Sequence, residues 1–383
     1  YHSITAVAET IGASFALDGN NANLFGDSDT FIRSMIEDID NAQHHCHILS
    51  YIMLDDEAGK LISTALMNAV KRGVACRLLL DGIGSKDFLH SQTCKRLKES
   101  RVNVVAALPA NIFRVLFVRI DLRNHRKIAV IDNSIGYMGS NNIAEPSFAP
   151  KPKFAPWVDA SVRLTGPVVR ELQAIFVQDW FMDSEEDIAD ILSEPLEVSD
   201  DGFPAQLMAT GPNSNNQALG QLLQTTFFAA QKELVITTPY FSPDDATESA
   251  LLICAKRGVE THLVLPAKND SKLVAAACRS NFAKLLNAGV NIHEFHGGLL
   301  HAKTITIDRN LALIGSANLD RRSLELNFEV NMLVYDSDFA SELRFLQTSY
   351  IEQSTQIHPQ IVADWSIPKR LWQNAIGLIA PIL

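Results

Sequence analysis

Lys71-Arg72-Gly73-Val74-Ala75-Cys76-Arg77-Leu78-Leu79-Leu80-Asp81 reads as a helix end, a glycine stop and an apolar strand, and the chain says it twice. The second copy, Lys256-Arg257-Gly258-Val259-Glu260-Thr261-His262-Leu263-Val264-Leu265-Pro266, lies 185 residues further on. Outward from it, Ile48-Leu49-Ser50-Tyr51 with Asp55-Asp56 is echoed by Ile236-Thr237-Thr238-Pro239-Tyr240 with Asp244-Asp245, at offsets of 188 to 189. Arg101-Val102-Asn103-Val104 matches Gly289-Val290-Asn291-Ile292 at 188. Segments recurring in one order at near-constant offsets mean a duplicated lobe. In the first copy Leu61, Leu66, Ala69 and Val70 keep roughly helical spacing before Gly73, and residues 46–54, 75–80, 234–241 and 260–265 are apolar runs expected as strands. Continuous runs are strands buried on both faces, hence βαβ units in a mixed sheet flanked by helices. The expected fold is α/β, with two similar lobes related by pseudo-twofold symmetry.

The chain has 383 residues, 33 basic against 44 acidic side chains and a formal charge of −11. Nine of those carboxylates fall between residues 183 and 201, a stretch with no Lys or Arg, which leaves −2 for everything else. The boundaries expected are therefore a first lobe over 1–182, a solvated acidic linker with a short helix over 183–203, and a second lobe over 204–383. An acidic total without a basic stripe disfavours nucleic acid as a partner. No run of 18 apolar residues is present, so no transmembrane helix is expected. The first residue is Tyr1, and the chain reads as processed or lacking its native start. Five scattered cysteines without a CxxC pair argue for a reducing compartment and against a zinc site.

Chemistry concentrates late in each copy. His125-x-Lys127-x4-Asp132 recurs as His301-x-Lys303-x4-Asp308, and each is followed by Gly-Ser-x-Asn, Gly139 to Asn142 and Gly315 to Asn318. Composition alone predicts on the order of 0.03 matches to the first pattern per chain. On a strand, His at i and Lys at i+2 share a face, whereas Asp at i+7 has the opposite parity. His125 with Lys127 and His301 with Lys303 should converge on one small anion, while Asp132 and Asp308 orient backbone or a neighbouring loop. Two ammonium groups would neutralise a phosphodiester and two imidazoles would act as nucleophile and acid, with no metal and no other cofactor. Asn142 and Asn318 join the lysines as expected phosphate holders, with Ser140 and Ser316 as hydroxyl donors.

These paired patterns resemble the HKD motifs of the phospholipase D superfamily, over nearly the whole chain. Arg123-Asn124-His125-Arg126-Lys127, Thr238 to Asp244, Gly315 to Ser323 with Asn327-Phe328-Glu329, and Trp157-x-Asp159 followed by Gly166-Pro167 and Asp179-Trp180 are similar to bacterial cardiolipin synthases. The resemblance implies two phospholipase-D-type lobes, a metal-free covalent phosphohistidine, and transfer of a phosphatidyl group between two phosphatidylglycerol molecules to give cardiolipin and glycerol. It groups Asp132 and Asp308 with the catalytic residues. It implies that each His is oriented by a carboxylate downstream of the other lobe's motif, Glu329 for His125 and Asp159 for His301. It also implies a place at the cytoplasmic side of the bacterial inner membrane, peripheral or anchored through a segment absent from this chain. The rival readings are a hydrolytic phosphodiesterase, phospholipase or nuclease, and a catalytically idle membrane-binding module, against which the intact His and Lys of both copies count.

Two further segments invite a membrane reading. Residues 112–120 carry Phe113, Leu116 and Phe117 with Arg114 and Arg119, either a greasy, basic rim or a plain buried strand. Lys369, Arg370 and Trp372 precede the apolar tail 375–383, which is too short to span and suits either an interfacial helix or one that docks on the core. His44, His45, Cys46 and His47 make a poor metal site, because adjacent residues point different ways.

Overall fold

The computed structural model describes residues 2–12, 14–108, 122–148, 150–194, 201–212 and 217–379, with side chains to 377. The first half contributes β1 (Leu17–Phe25), β2 (His45–Ser50), β3 (Ala75–Asp81), β4 (Asn103–Ala107), β5 (Ile128–Ile131), β6 (Ile135–Gly139), β7 (Trp157–Val158) and β8 (Ser161–Thr165). The second contributes β9 (Phe203–Thr210), β10 (Glu233–Thr237), β11 (Phe241–Ser242), β12 (Glu260–Pro266), β13 (Asn291–Phe295), β14 (Leu299–Leu300), β15 (Thr304–Ile307), β16 (Leu311–Gly315), β17 (Leu319–Asp320), β18 (Glu329–Val334) and β19 (Ser354–Ile357).

Fifteen of these form one sheet in the order β19-β13-β12-β10-β15-β16-β18-β9-β1-β8-β6-β5-β2-β3-β4. Setting aside the edge strand β19, the order reads the same from either end: β4-β3-β2-β5-β6-β8-β1 matches β13-β12-β10-β15-β16-β18-β9. The halves meet where β1 pairs antiparallel with β9, so the pseudo-twofold axis passes between those two strands. In each half the three outer strands are parallel and the hairpin strands antiparallel, the mixed α/β sheet expected of each lobe. The duplicated Lys-Arg-Gly-Val segment is the crossover from the helices Glu57–Lys71 and Asp245–Lys256 into β3 and β12. Gly73 and Gly258 take φ of +98° and +90° there, a left-handed turn that glycine makes without strain.

One apolar layer runs across both halves, from Leu49, Leu79, Val130 and Val162 to Val264, Ile314, Val330 and Met332, and is closed by the helices Val168–Ser184 and Ser337–Glu352. Separate clusters fill the opposite face under each half. The first helix, His2–Gly12, crosses over: Ile4 and Ala8 pack with Leu219, Leu222 and Leu223 of the second half. The acidic connection leaves Glu185, Asp187, Asp190 and Glu194 exposed and is tethered through two of its carboxylates. Glu186 takes Arg77 at 2.7 Å and the Trp180 indole N–H at 2.9 Å, and Glu194 takes the Asn133 amide at 2.6 Å.

Candidate active site

His125 and His301 sit not inside strands but in the extended segments that lead into β5 and β15. The first segment bridges across the axis, where Asn124 pairs with Phe328 and the His125 N–H donates to the Phe328 carbonyl at 2.9 Å. The second does the same in reverse, since β14 pairs with β7 and the His301 N–H donates to the Val158 carbonyl at 2.7 Å. These cross-axis bridges bring the two motifs to one cavity of about 640 Å³, lined by His125, His301, Asn142, Asn318, Tyr51, Trp157, Tyr240 and Asp320 among others.

Each imidazole meets a buried carboxylate from the opposite half. His125 Nδ1 lies 3.1 and 3.0 Å from the two oxygens of Glu329, and His301 Nδ1 lies 2.6 Å from Asp159 Oδ1. A carboxylate only accepts, so each Nδ1 carries the proton and Nε2 keeps its lone pair. Aromatic rings pin the imidazoles sideways: Tyr51 meets His125 edge-on at 4.8 Å and Trp157 tilts against His301 at 4.7 Å. Each lysine folds back, Lys127 Nζ donating to the His125 carbonyl at 2.7 Å and Lys303 Nζ to the His301 carbonyl at 2.6 Å. The twofold therefore brings both imidazoles to one cavity, with each ammonium group folded behind its own histidine and outside the residues that line it.

Burial shapes their protonation. It pushes both imidazoles down to about 4, against the upward pull of Glu329 on His125 and of Asp159 on His301. Burial alone would raise Asp159 and Glu329, but the facing histidines, lysines and serines more than offset it and hold both below the ordinary carboxylate range. Each pair thus rests as neutral imidazole and carboxylate. Lys127 is pushed down to about 8 by burial, and Lys303 falls well below the usual lysine range through burial and the neighbouring Lys127 charge. An anion entering the cavity would raise all four cationic groups back toward protonation.

The imidazoles carry a stability consequence whose sign follows from the depressed values. An unfolded His titrates at 6.5 and the folded ones at about 4, so between those values the unfolded chain binds protons that the folded chain refuses. Stability is full above 6.5 and falls as pH drops through that window. Thermal melts across it should show a falling melting temperature in the ligand-free protein; a flat profile would contradict buried neutral imidazoles.

Other expected site residues lie elsewhere. Asp132 and Asp308, grouped by the resemblance with the catalytic residues, do not line the cavity. Both have φ near +50° and serve backbone at the strand starts: Asp132 accepts from the N–H groups of Gln43, His44 and His45, and Asp308 from those of Gln231, Lys232 and Glu233. Replacing Asp308 by Ala should cost roughly 1–3 kcal/mol of stability, read by urea melts, while kcat of the folded fraction stays within a few-fold. A collapse of kcat at unchanged stability would return Asp308 to the reaction.

Ser140 and Ser316, expected to donate to phosphate, are fully buried behind the carboxylates instead. Ser140 Oγ donates to Asp159 at 2.7 Å and Ser316 Oγ to Glu329. The glycines before them explain the placement, because a Cβ on Gly139 would stand 2.5 Å from Ser161 Cα and one on Gly315 would stand 2.4 Å from the Val330 carbonyl oxygen. Only glycine lets β6 and β16 come that close to β8 and β18 and drop the serine onto the carboxylate. Asn142 and Asn318 do line the cavity, and Asn142 is oriented by the Ile52 N–H, 3.2 Å from its Oδ1. Phe113, Leu116 and Phe117, with Arg114 and Arg119, lie outside the described residues. Trp372 is more than half exposed on the helix Ile367–Ile379, away from the cavity lining.

The motif reading missed the support beneath the histidines. Arg126 sends Nη1 to both oxygens of Asp179, at 2.6 and 2.7 Å, Nε to the Glu329 carbonyl and Nη2 to the Thr210 carbonyl, while Asn124 donates to Asp179 at 2.9 Å. The Arg-Asn-His-Arg-Lys string and the Asp179-Trp180 pair both stood among the segments that carry the resemblance, but nothing in either links Arg126 to a partner 53 residues away.

The family described as "Cardiolipin synthase, PLD-like domain" matches residues 35–180 and 223–346, the two stretches that hold the repeated halves and both His-x-Lys pairs. Cardiolipin synthase A of Yersinia pseudotuberculosis is 36% identical over 370 residues, 95% of this chain and 76% of the relative. The chain belongs to the cardiolipin synthase family. A second family member, cardiolipin synthase A of Yersinia pestis, is 38% identical over the same extent. Among solved structures, phosphatidylserine synthase of Haemophilus influenzae Rd KW20 superposes with a TM-score of 0.74 at 16% identity, over 99% of this chain and 100% of that one. Polyphosphate kinase of Porphyromonas gingivalis superposes at 0.57 with 14% identity, over 89% and 49%. At those identities the two structures speak to the fold, which the cardiolipin synthase family shares.

Proposed function

We propose that the protein is a phosphatidyltransferase that joins two phosphatidylglycerol molecules into cardiolipin with release of glycerol, through a phosphohistidine on His125. The observation that carries this reading is the pair of imidazoles, each held at Nδ1 by a buried carboxylate of the other half and both lining the same cavity. His125 Nε2 attacks phosphorus. The bond to the glycerol oxygen breaks, and His301, protonated at Nε2 once the phosphate anion has entered, gives that proton to the leaving alcohol. Glu329 and Asp159 fix the tautomers and stabilise imidazolium as charge develops. A hydroxyl of a second phosphatidylglycerol then gives its proton to His301 and attacks phosphorus, and the phosphorus–nitrogen bond breaks. Lys127, Lys303, Asn142 and Asn318 hold the phosphate oxygens throughout, so charge on the equatorial oxygens meets fixed donors.

Substrates of this kind reside in a bilayer, so the protein works at a membrane surface, the cytoplasmic face of the bacterial inner membrane. Among the described residues no helix is long and apolar enough to cross a membrane.

Mass spectrometry of products formed from pure phosphatidylglycerol tests the reading. Cardiolipin with equimolar glycerol supports it; phosphatidic acid alone would mean that water, not an alcohol, resolves the intermediate. Because the groups assigned to the phosphate are amine, amide and imidazole, with Asp159 and Glu329 engaged by histidine and Asp270 and Asp320 of the lining engaged by the Tyr240 hydroxyl and the Ser323 N–H, a chelator should leave the rate unchanged. Recovery of a chelated, inactive enzyme by a divalent ion would overturn the proposed donor set.

A further inference from the structure

The helix Ile367–Ile379 shows large apolar side chains on two sides. Its inward side places Ile376 at 5% exposure against Ala276 and Ala277 of the helix Lys272–Ser280. Ile367, Leu371 and Trp372 stand at 71%, 64% and 56% exposure. Ile367 and Leu371 are one turn apart on the outer face, and Trp372, about 100° round from Leu371 and one turn before Ile376, stands exposed at the edge where that face meets the packed one. A surface that meets only water rarely collects three such side chains.

The group has a place and a charge. Cys278 of the helix beneath it accepts the N–H of Phe241, the residue after the cavity's Tyr240, and that helix begins two residues after Asp270, which binds the Tyr240 hydroxyl. At its other end Gly377 borders a cleft shared with Arg321, beside the cavity residues Asp320 and Arg322. The helix that carries these side chains thus packs on elements joined to the cavity wall. From residue 365 onward the chain carries Lys369 and Arg370 and no carboxylate, against a formal charge of −11 for the whole. Both cations are exposed, and Lys369 Nζ stands 4.3 Å from the Trp365 ring centroid, which fixes it at the helix start.

We infer that the helix Ile367–Ile379 is an interfacial anchor that lays Ile367, Leu371 and Trp372 into an anionic phospholipid bilayer and holds the catalytic cavity's mouth to that surface. Three apolar side chains flanked by Lys369 and Arg370 suit the boundary between acyl chains and anionic head groups. A second copy of the chain is the poorer occupant, since three side chains fall far short of the about 800 Å² per partner that a stable interface covers. The inference rests on the reading of the cavity as a phosphatidyltransferase site.

The test uses the full chain with Ile367→Ser, Leu371→Ser and Trp372→Ser combined, floated with vesicles of phosphatidylglycerol in phosphatidylcholine. Partition should fall roughly 100-fold, with turnover on vesicles falling alongside, because several buried CH₂ groups are lost at once. The melting temperature and the turnover of short-chain phosphatidylglycerol dissolved as monomers should match the parent. Lys369→Gln with Arg370→Gln should cut vesicle binding by about 10-fold or more and abolish the preference for phosphatidylglycerol over phosphatidylcholine. Parent-like vesicle binding by the triple serine variant overturns the anchor, as does a dimer in the parent that the variant converts to monomer with binding intact. If instead the variant loses vesicle binding while the parent turns over no monomeric phosphatidylglycerol, the anchor stands and the transferase reading fails.

Discussion

His125→Ala should lower turnover of phosphatidylglycerol by roughly 10⁴-fold or more, and His301→Ala should do the same, with the two together hardly worse than either alone. The reason is that each imidazole owns one half of every step. Without His125 there is no attacker, and without His301 the leaving alcohol departs as an unprotonated alkoxide. The two variants should nonetheless fail differently. In His301→Ala, His125 Nε2 remains free and Glu329 still holds its Nδ1, so a substrate with a good leaving group needs no proton and should trap the phosphatidyl group on His125. Mass spectrometry of the trapped protein would then find the adduct at His125. An adduct at His301 in the His125→Ala protein, with none in the converse experiment, would exchange the roles, and near-parent turnover in both would remove the histidines from the mechanism.

The parts of this site that were legible in the sequence are those repeated by the duplication. Each His-x-Lys pair has a copy, and the near-constant offset alone lays one lobe on the other. Asp132 and Asp308, set aside by parity, lie off the cavity lining, yet not through strand alternation: each sits just past β5 or β15 with φ near +50° and ties down backbone at the starts of β2 and β10. Contacts across the axis join residues with no common period: the Glu329–His125 and Asp159–His301 pairs were implied by the family resemblance alone, and the reach of Arg126 to the Glu329 and Thr210 carbonyls by neither pattern nor resemblance. Ser140 and Ser316 were placed at the right spacing but facing the wrong group; the deciding fact is how closely β6 and β16 approach β8 and β18, visible only as a steric limit at Gly139 and Gly315. The helix His2–Gly12 precedes the first half in the chain and packs on the second, which apolar periodicity cannot reveal, since Ile4 and Ala8 make an equally good stripe against either. Residues 183–194 carry mostly exposed carboxylates, and what composition does not display is the pair of partners that Arg77 and Trp180 give Glu186.

The largest effect expected away from the imidazoles belongs to Arg126. Its guanidinium and the Asp179 carboxylate are 6% and 1% exposed, and every nitrogen on the fork is spent: Nη1 on Asp179 in the first half, Nε and Nη2 on the carbonyls of Glu329 and Thr210 in the second. The side chain therefore joins the two halves at the point where Glu329 must be held against His125, and Phe328 packs on its face at 5.3 Å. Arg126→Ala strands a buried carboxylate and leaves two carbonyls without donors, a loss of about 3–5 kcal/mol. Lys would not repair it, since one ammonium cannot reproduce a planar fork that serves three acceptors in different directions. Stability and catalysis should come apart in the double variant Arg126→Met with Asp179→Leu. Replacing both charges with apolar groups of similar size removes the stranded carboxylate, so urea melts should recover much of the lost stability. The Glu329 carbonyl still lacks its donor, the backbone that aims the carboxylate at Nδ1 loses that restraint while Ser316 and Asn327 still hold the carboxylate oxygens, and the rate should stay depressed by about 10²-fold or more. A double variant that regained both stability and rate would reduce Arg126 to packing, whereas one that regained stability alone would make it the residue that positions Glu329.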